Sequence, residues 1–238
     1  MRIFLTAILI AFISFSGLAQ TSSADPVDIH GWYGVGLGLD LKKKWTLGVD
    51  YQARFQNNLA SYKGSYISLS ASKGINKRVD LLAEYRLGLV QDAIFHRYSF
   101  GVQYEPKVSG VDLDFRLLIL NNIQDFMDVT SATQNALFWR SRIKLGMKLN
   151  KEWQLYLATE PVMKVGGVRF VDNWRNTIGV KRKVSSSAKL DLFYMYRPDY
   201  AKVSYSRLFH VVGLNFDFAT TLSKKKKRNR NSSGGPLR

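Results

Sequence analysis

Residues 45–55 read WTLGVDYQARF: every odd position (Trp45, Leu47, Val49, Tyr51, Ala53, Phe55) is apolar, and every even one is polar or glycine. Successive Cβ atoms of a strand point to opposite faces, so this stretch sets one row of side chains against an apolar medium and the other against a polar one. The same alternation recurs at about 30–41, 64–73, 79–89, 96–105, 111–121, 136–149, 153–160, 173–183, 188–197 and 206–218, giving eleven segments with the first. Short turns (42–44, 74–78, 107–110, 150–152, 185–187) alternate with longer polar connections (56–63, 122–134, 161–172, 198–205). Short turns at one rim and longer loops at the other are the habit of membrane barrels. An apolar-x-Leu start after a turn recurs at Trp45, Val79, Val111, Trp153 and Ala188, spacings of 34, 32, 42 and 35 that fit a hairpin repeat.

Alternation alone does not say which face is inside, because a soluble barrel alternates with its apolar face inward. Length and composition arbitrate. Segments of roughly ten to thirteen residues cross a bilayer with tilt and exceed the five or six usual in soluble sheets. Aromatics fall where interfacial girdles belong: Trp45, Tyr104, Trp153, Phe216 and Phe218 toward the short turns, Phe55, Tyr98, Trp139, Trp174 and Tyr196 toward the loops. The polar face mixes charges of both signs with glycines at 34, 36, 38, 48, 88, 101, 146, 179 and 213, which leave room for long side chains in a narrow lumen. The expected fold is therefore all-β, a transmembrane antiparallel up-and-down barrel over 30–218. Eleven segments conflict with the even strand number of bacterial single-chain barrels, so about twelve strands (10–12) are expected. Either a short strand is hidden or the N-terminal segment passes through the lumen.

The ends read differently. Arg2, a mostly apolar run over 3–15 and Gly17-Leu18-Ala19 form a cleaved signal peptide over 1–19, followed by a polar lead-in at 20–29. After it, apolar runs such as 117–120 fall far short of the eighteen or so residues of a membrane helix. The chain has no cysteine, so neither a lipid anchor nor a disulfide scaffold is available. Its net charge is +17, of which Arg2 and seven residues of the 219–238 tail supply 8, leaving 17 − 8 = +9 for the remainder. That tail, rich in Lys, Arg, Ser and Gly, reads as disordered. The basic excess suits phosphorylated headgroups or anionic solutes. No reading helix, aromatic RNA-binding strand or zinc spacing accompanies it, which argues against nucleic acid.

Several stretches resemble one family: Gly31-Trp32, the Lys-Lys-Lys-Trp-Thr-Leu turn at 42–47, Phe95-His96-Arg97, Glu160-Pro161 and the segment start at 173–180. The chain is similar in these to the Gram-negative outer-membrane β-barrels grouped as domain of unknown function 2490, over about 31–218. The resemblance implies fold and location and carries no functional residues. Separately, Gly213-Leu-Asn-Phe216-Asp-Phe218 resembles the terminal assembly signal of outer-membrane proteins, so membrane lipid and the assembly machinery are the expected partners of a monomer.

Nothing in the sequence forms a catalytic, cofactor or metal signature. His30, His96 and His210 stand alone, and His96 and Ser99, three apart on a strand, face opposite sides. The candidate functional residues are inward charges: Asp50, Arg54, Glu84, Arg86, Arg97, Glu105, Asp114, Arg116, Arg140, Arg142, Glu160, Arg175, Asp191 and Arg207, with Asp80 and Asp112. They either pair into a network that fills the lumen, as unpaired buried charge demands, or line a narrow pore whose basic excess at Arg140, Arg142 and Lys144 favours anions. The function expected is a narrow or plugged outer-membrane barrel with a structural or small-solute channel role. The alternatives are a lipid-modifying enzyme or an adhesive barrel acting through the 122–134 loop. Leu81 belongs to the outward row, and Leu81→Arg is expected to cost about 2–4 kcal/mol near the midplane of a bilayer. Denaturant unfolding of the barrel refolded in lipid checks it, and wild-type stability would reverse the assignment of faces.

Overall fold

The computed structural model describes residues 27–91, 93–108, 110–126, 133–166, 171–200 and 207–221. The expected signal peptide, most of the lead-in, the tail beyond 221 and the tip of the 122–134 loop lie outside the described residues. Eleven long strands form one sheet: β1 (Val27–Asp40), β2 (Trp45–Gln56), β3 (Ser61–Gly74), β4 (Val79–Val90), β5 (Ala93–Tyr104), β7 (Val111–Phe126), β8 (Gln134–Lys148), β9 (Trp153–Lys164), β10 (Val171–Lys183), β11 (Ala188–Asp199) and β12 (Arg207–Thr221). Each pairs antiparallel with its chain neighbour, and β5 joins β7 directly, from Ala93↔Phe126 to Tyr104↔Phe115. The two-residue β6 (Lys107–Val108) pairs only with Val111 and Asp112, inside the turn.

The sheet closes between β1 and β12, which run parallel from Val27↔Leu208 to Asp40↔Thr221. The expected count of about twelve is thus corrected to eleven. The reason is geometric: in an up-and-down ring an odd number of strands brings first and last together in the same direction, so closure takes a parallel ladder. That ladder hydrogen-bonds only slightly less well than an antiparallel one. No hidden twelfth strand is needed.

Strands also run further than the sequence implies. β9 continues through Pro161 to Lys164, although proline lacks the N–H a ladder requires. Its register with β8 passes from Arg140↔Val162 to Ile143↔Thr159, so Pro161 falls in a gap on that side while still pairing with Trp174 of β10. Two of the short turns share one device. Asn76 Oδ1 accepts the N–H groups of Arg78 and Val79, and Asn150 Oδ1 those of Glu152 and Trp153, the side chain standing in for a backbone acceptor.

The two faces differ in kind. Outward side chains are large, apolar and exposed, as at Leu37 (58%), Leu81 (50%), Phe100 (65%) and Ile119 (58%). Trp45, Trp153, Tyr104, Phe216 and Phe218 stand exposed toward the short-turn rim. Inward positions hold the charged and polar residues, packed partly over glycine. The Tyr66 ring lies against Gly88, Tyr156 against Gly179 and Phe193 against Gly213, each in space a Cβ would occupy. A small apolar cluster of Trp32, Tyr156, Phe193, Met195 and Val211 lies on the inner wall by the seam.

One irregularity bears on the lumen. Arg54 of β2 faces Gly64 of β3 but the next pair is Phe55↔Tyr62, which leaves Lys63 as an extra residue in a β-bulge. Gly64 adopts φ 154, where an added Cβ would meet the backbone carbonyl of Leu89. Gly64→Ala is therefore expected to destabilise the barrel by about 1–3 kcal/mol, the usual range for forced backbone strain. A lowered urea midpoint at unchanged slope would show it, and an unchanged midpoint would refute it.

Candidate functional site: a cationic lumen

Alternation brings side chains that are far apart in sequence onto one inner wall. Around a cavity of about 490 Å³ the lining includes eleven cationic side chains: Arg54, Lys63, Arg86, Arg97, Arg116, Arg140, Arg142, Lys144, Arg175, Lys181 and Arg197. Seven of them pair with only five carboxylates. Glu160, on β9, is buried and receives three arginines: Arg140 at 2.6 Å, Arg116 at 3.0 Å and Arg175 at 3.1 Å. Arg142 donates to Asp114 at 2.8 Å, Arg86 lies 3.2 Å from Glu84, Lys181 3.3 Å from Asp191 and Arg197 3.0 Å from Asp199. Arg54, Lys63, Arg97 and Lys144 meet no carboxylate within salt-bridge distance among the described residues. Eleven cations against five anions leave a surplus of six positive charges.

The unpaired cations are held by other means. The Arg54 guanidinium lies 4.0 Å from the ring centroids of both Trp32 and Tyr66, and its Nε donates to Gln52 Oε1 at 2.7 Å. Arg97 Nε donates to Asn122 Oδ1 at 2.6 Å. Lys144 sits 4.7 Å from the centroid of the Tyr156 ring, whose hydroxyl donates to Asp191 at 2.9 Å. Cation–π contact stabilises a desolvated cation without neutralising it, so the charge stays available. Arg54, Arg86 and Arg140 lie within Coulombic reach of Arg97, and Arg97, Arg140 and Arg197 within reach of Arg175, which places these arginines in one belt around the lumen.

The salt bridges follow the wall. Every pair among the described residues joins residues on one strand, on adjacent strands or, for Arg116 and Glu160, on strands two apart. Ion pairs of this kind brace neighbouring strands rather than joining opposite walls. Toward the short-turn rim the balance reverses, and the Asp50 and Asp217 carboxylates converge over Gly36 from either side.

Of the residues singled out in the sequence, Arg54, Glu84, Arg86, Arg97, Asp114, Arg116, Arg140, Arg142, Glu160, Arg175 and Asp191 lie on the inner wall as just described, with Asp50 nearer the turns. Two lie at the rims. Glu105 lies just beyond β5, exposed at the turn rim, where it accepts a hydrogen bond from Gln103 at 2.6 Å and lines a cavity together with Asp112, Asp114 and Lys144. Arg207 opens β12 opposite Asp199, exposed at the loop rim. Both keep the inward parity of their strands, at the two ends of the lumen. Gly213, Phe216 and Phe218 lie on β12, Gly213 under the Phe193 ring and both phenylalanines outward. Sequence reasoning missed Trp32, Tyr66, Tyr156, Lys181 and Arg197, all of inward parity, and Lys63, whose orientation depends on the bulge. His96 accompanies Tyr85 on the outer face while Ser99 is buried facing inward, so the two form no nucleophile–base pair. Among the described residues no three His, Asp or Glu side chains converge as a metal ion requires.

A family model described as protein of unknown function (DUF2490) matches residues 29–203. Among solved structures the chain is similar to one titled NanC porin in a rhombohedral crystal form. Identity is 8% and the TM-score 0.49, over 71% of this chain and 86% of that one. No curated protein matches.

Because Glu160 alone neutralises three arginines, its loss leaves a buried cluster of like charge. Glu160→Gln is expected to cost about 3–5 kcal/mol, the range for breaking a buried pair from one side. Arg140→Gln, which leaves Glu160 two partners, is expected to cost less. Denaturant midpoints of the two variants give the order, and the reverse order would remove Glu160 from its central role.

Proposed function

The chain belongs to the DUF2490 family, and from the geometry of its lumen we propose that it is an outer-membrane channel for small anionic solutes. The observation that carries the reading is the arrangement of the lumen charges, in which ion pairs run along the wall around a cavity with six more cations than carboxylates. A ring of fixed cations between low-dielectric walls raises the local concentration of anions and repels cations. Arginine suits the task, since it stays charged under desolvation and stacks on aromatic rings without losing its in-plane donors.

Placement in a membrane is supported by the outer face, where exposed aliphatic side chains around the barrel's circumference far exceed the patches a soluble monomer presents. The aromatics toward its rims fit the interfaces. Export by the 1–19 segment, assembly through the Gly213-x-x-Phe216-x-Phe218 signal and a monomeric state complete the proposal.

The test is single-channel recording of the mature barrel in a planar bilayer under a salt gradient. Discrete steps are expected, with a reversal potential of the sign for anion preference. Arg97→Glu, which reverses a charge that no carboxylate balances, is expected to move that potential toward zero. Silence from a folded, heat-modifiable barrel, or cation preference in the wild type, would overturn the channel reading.

A further inference from the structure

We propose that the wall formed by β1, β2 and β3 is a binding subsite for one oxyanion group of the solute, a carboxylate, sulfate or phosphate, held by Arg54, Lys63 and the indole N–H of Trp32. The proposal deepens the channel reading and rests on it: it distinguishes a site that grips oxyanions from a lumen that merely tolerates negative charge.

Arg54 presents one usable edge. The Trp32 and Tyr66 rings each lie 4.0 Å from its guanidinium carbon, and Gln52 takes its Nε. The terminal nitrogens act in the guanidinium plane, the geometry that meets two oxygens of an oxyanion side by side. The clamp is braced from behind, because the Tyr66 ring rests on Gly88, where a Cβ would stand 2.7 Å from it.

Trp32 supplies an independent sign. Its side chain is nearly all buried, at 6% exposure, and lines the same cavity, yet its Nε1 has no hydrogen-bond acceptor among the described residues. A buried donor without an acceptor is uncommon and costly, and it calls for a partner that arrives with the solute. Arg140 Nε, Arg142 Nε and Arg197 Nε, on the same lumen, are likewise without one, but each belongs to an arginine whose terminal nitrogen already meets a carboxylate, as Trp32 does not.

Lys63 is placed by backbone irregularity. Strand parity on β3, with Gly64, Tyr66 and Ser68 inward, would send Lys63 outward. The bulge turns it to the cavity instead, at the expense of a conformation at residue 64 that only glycine holds without strain. The nearby carboxylates are engaged: Asp28 with His30 and the N–H groups of Asn57 and Asn58, Asp199 with Arg197. Across the lumen the protein shows the same chemistry completed, since there the cluster of arginines holds a carboxylate of its own, Glu160. On the Arg54 side the donors are present and the carboxylate is left to the solute.

The experiment measures chloride current through the refolded barrel while potassium acetate, sulfate or phosphate is added in separate arms. A saturating block is expected with at least one oxyanion. Arg54→Gln and Lys63→Gln are each expected to raise the half-blocking concentration about tenfold, the scale of one lost charge-assisted hydrogen bond. Trp32→Phe, which keeps the ring and removes the N–H, is expected to raise it less, and Lys148→Gln at the turn rim should leave it unchanged. Where Arg54→Gln does not refold, Lys63→Gln carries the test. A current that responds linearly to every oxyanion, or a block equal in wild type and variants, would overturn the subsite and leave the channel standing. Should the folded barrel pass no current, equilibrium dialysis of radiolabelled sulfate in detergent decides the subsite separately. One saturable site lost in the variants upholds it, and no site overturns it.

Discussion

Closure of an odd ring is the constraint from which the rest of the barrel follows. With eleven strands, β1 and β12 must run side by side in the same direction, and their fourteen-residue parallel ladder removes the free edges an open sheet would expose. Once the ring is closed, the period of two fixes every side chain as inward or outward, and the register of each hairpin fixes its height. The seam shows the consequence most plainly. Below Trp32 the inward row of β1 is Gly34, Gly36 and Gly38, and the space they leave is filled from both sides by Asn215, Asp217 and Asp50. The seam is therefore acidic toward the turns and cationic toward the loops, and the lumen acquires an electrical direction along its axis.

Within that frame the charge network serves structure first. Glu160 ties β7, β8 and β10 to β9 through three arginines, and Asp114 with Arg142 ties β7 to β8. These pairs run along the wall, none of them joining opposite sides of the ring. Arg54, Lys63, Arg97 and Lys144 form no salt bridge among the described residues, and aromatic rings or amide side chains hold Arg54, Arg97 and Lys144 instead.

Much of this was legible in the sequence, because alternation is a local signal and the barrel obeys it outside the irregularities on β3 and β10. WTLGVDYQARF gives the faces of β2 directly, and eleven segments could be counted before any rule about even numbers pushed the estimate upward. Boundaries were less legible. Pro161 reads as a strand end, and only the register of two neighbouring strands reveals that its missing N–H falls in a gap of the ladder. Partners were not legible. That Glu160 faces inward follows from parity, whereas its meeting with Arg116, forty-four residues away, follows from register and shear. The stack of Trp32, Arg54 and Tyr66 joins three strands, and no spacing within any one of them announces it.

Lys63 marks the limit of local reading and the coupling it conceals. Its orientation depends on the bulge, and the bulge follows a connection in which Asn57, Asn58 and Leu59 all have positive φ, a run that ordinary side chains do not hold unaided. The connection is pinned at its far side: Asp28, at the start of β1, accepts the N–H groups of Asn57 and Asn58 while its carboxylate also meets His30, and the carbonyl of Ile29 accepts the N–H of Leu59. His30 in turn packs on Phe209 of β12, 4.6 Å between ring centroids. A chain of contacts thus runs from the parallel seam through Asp28 and the strained connection to the bulge. The cation at its end is held in the lumen by the same closure that makes the barrel, so its position is a property of the whole ring rather than of the strand that carries it.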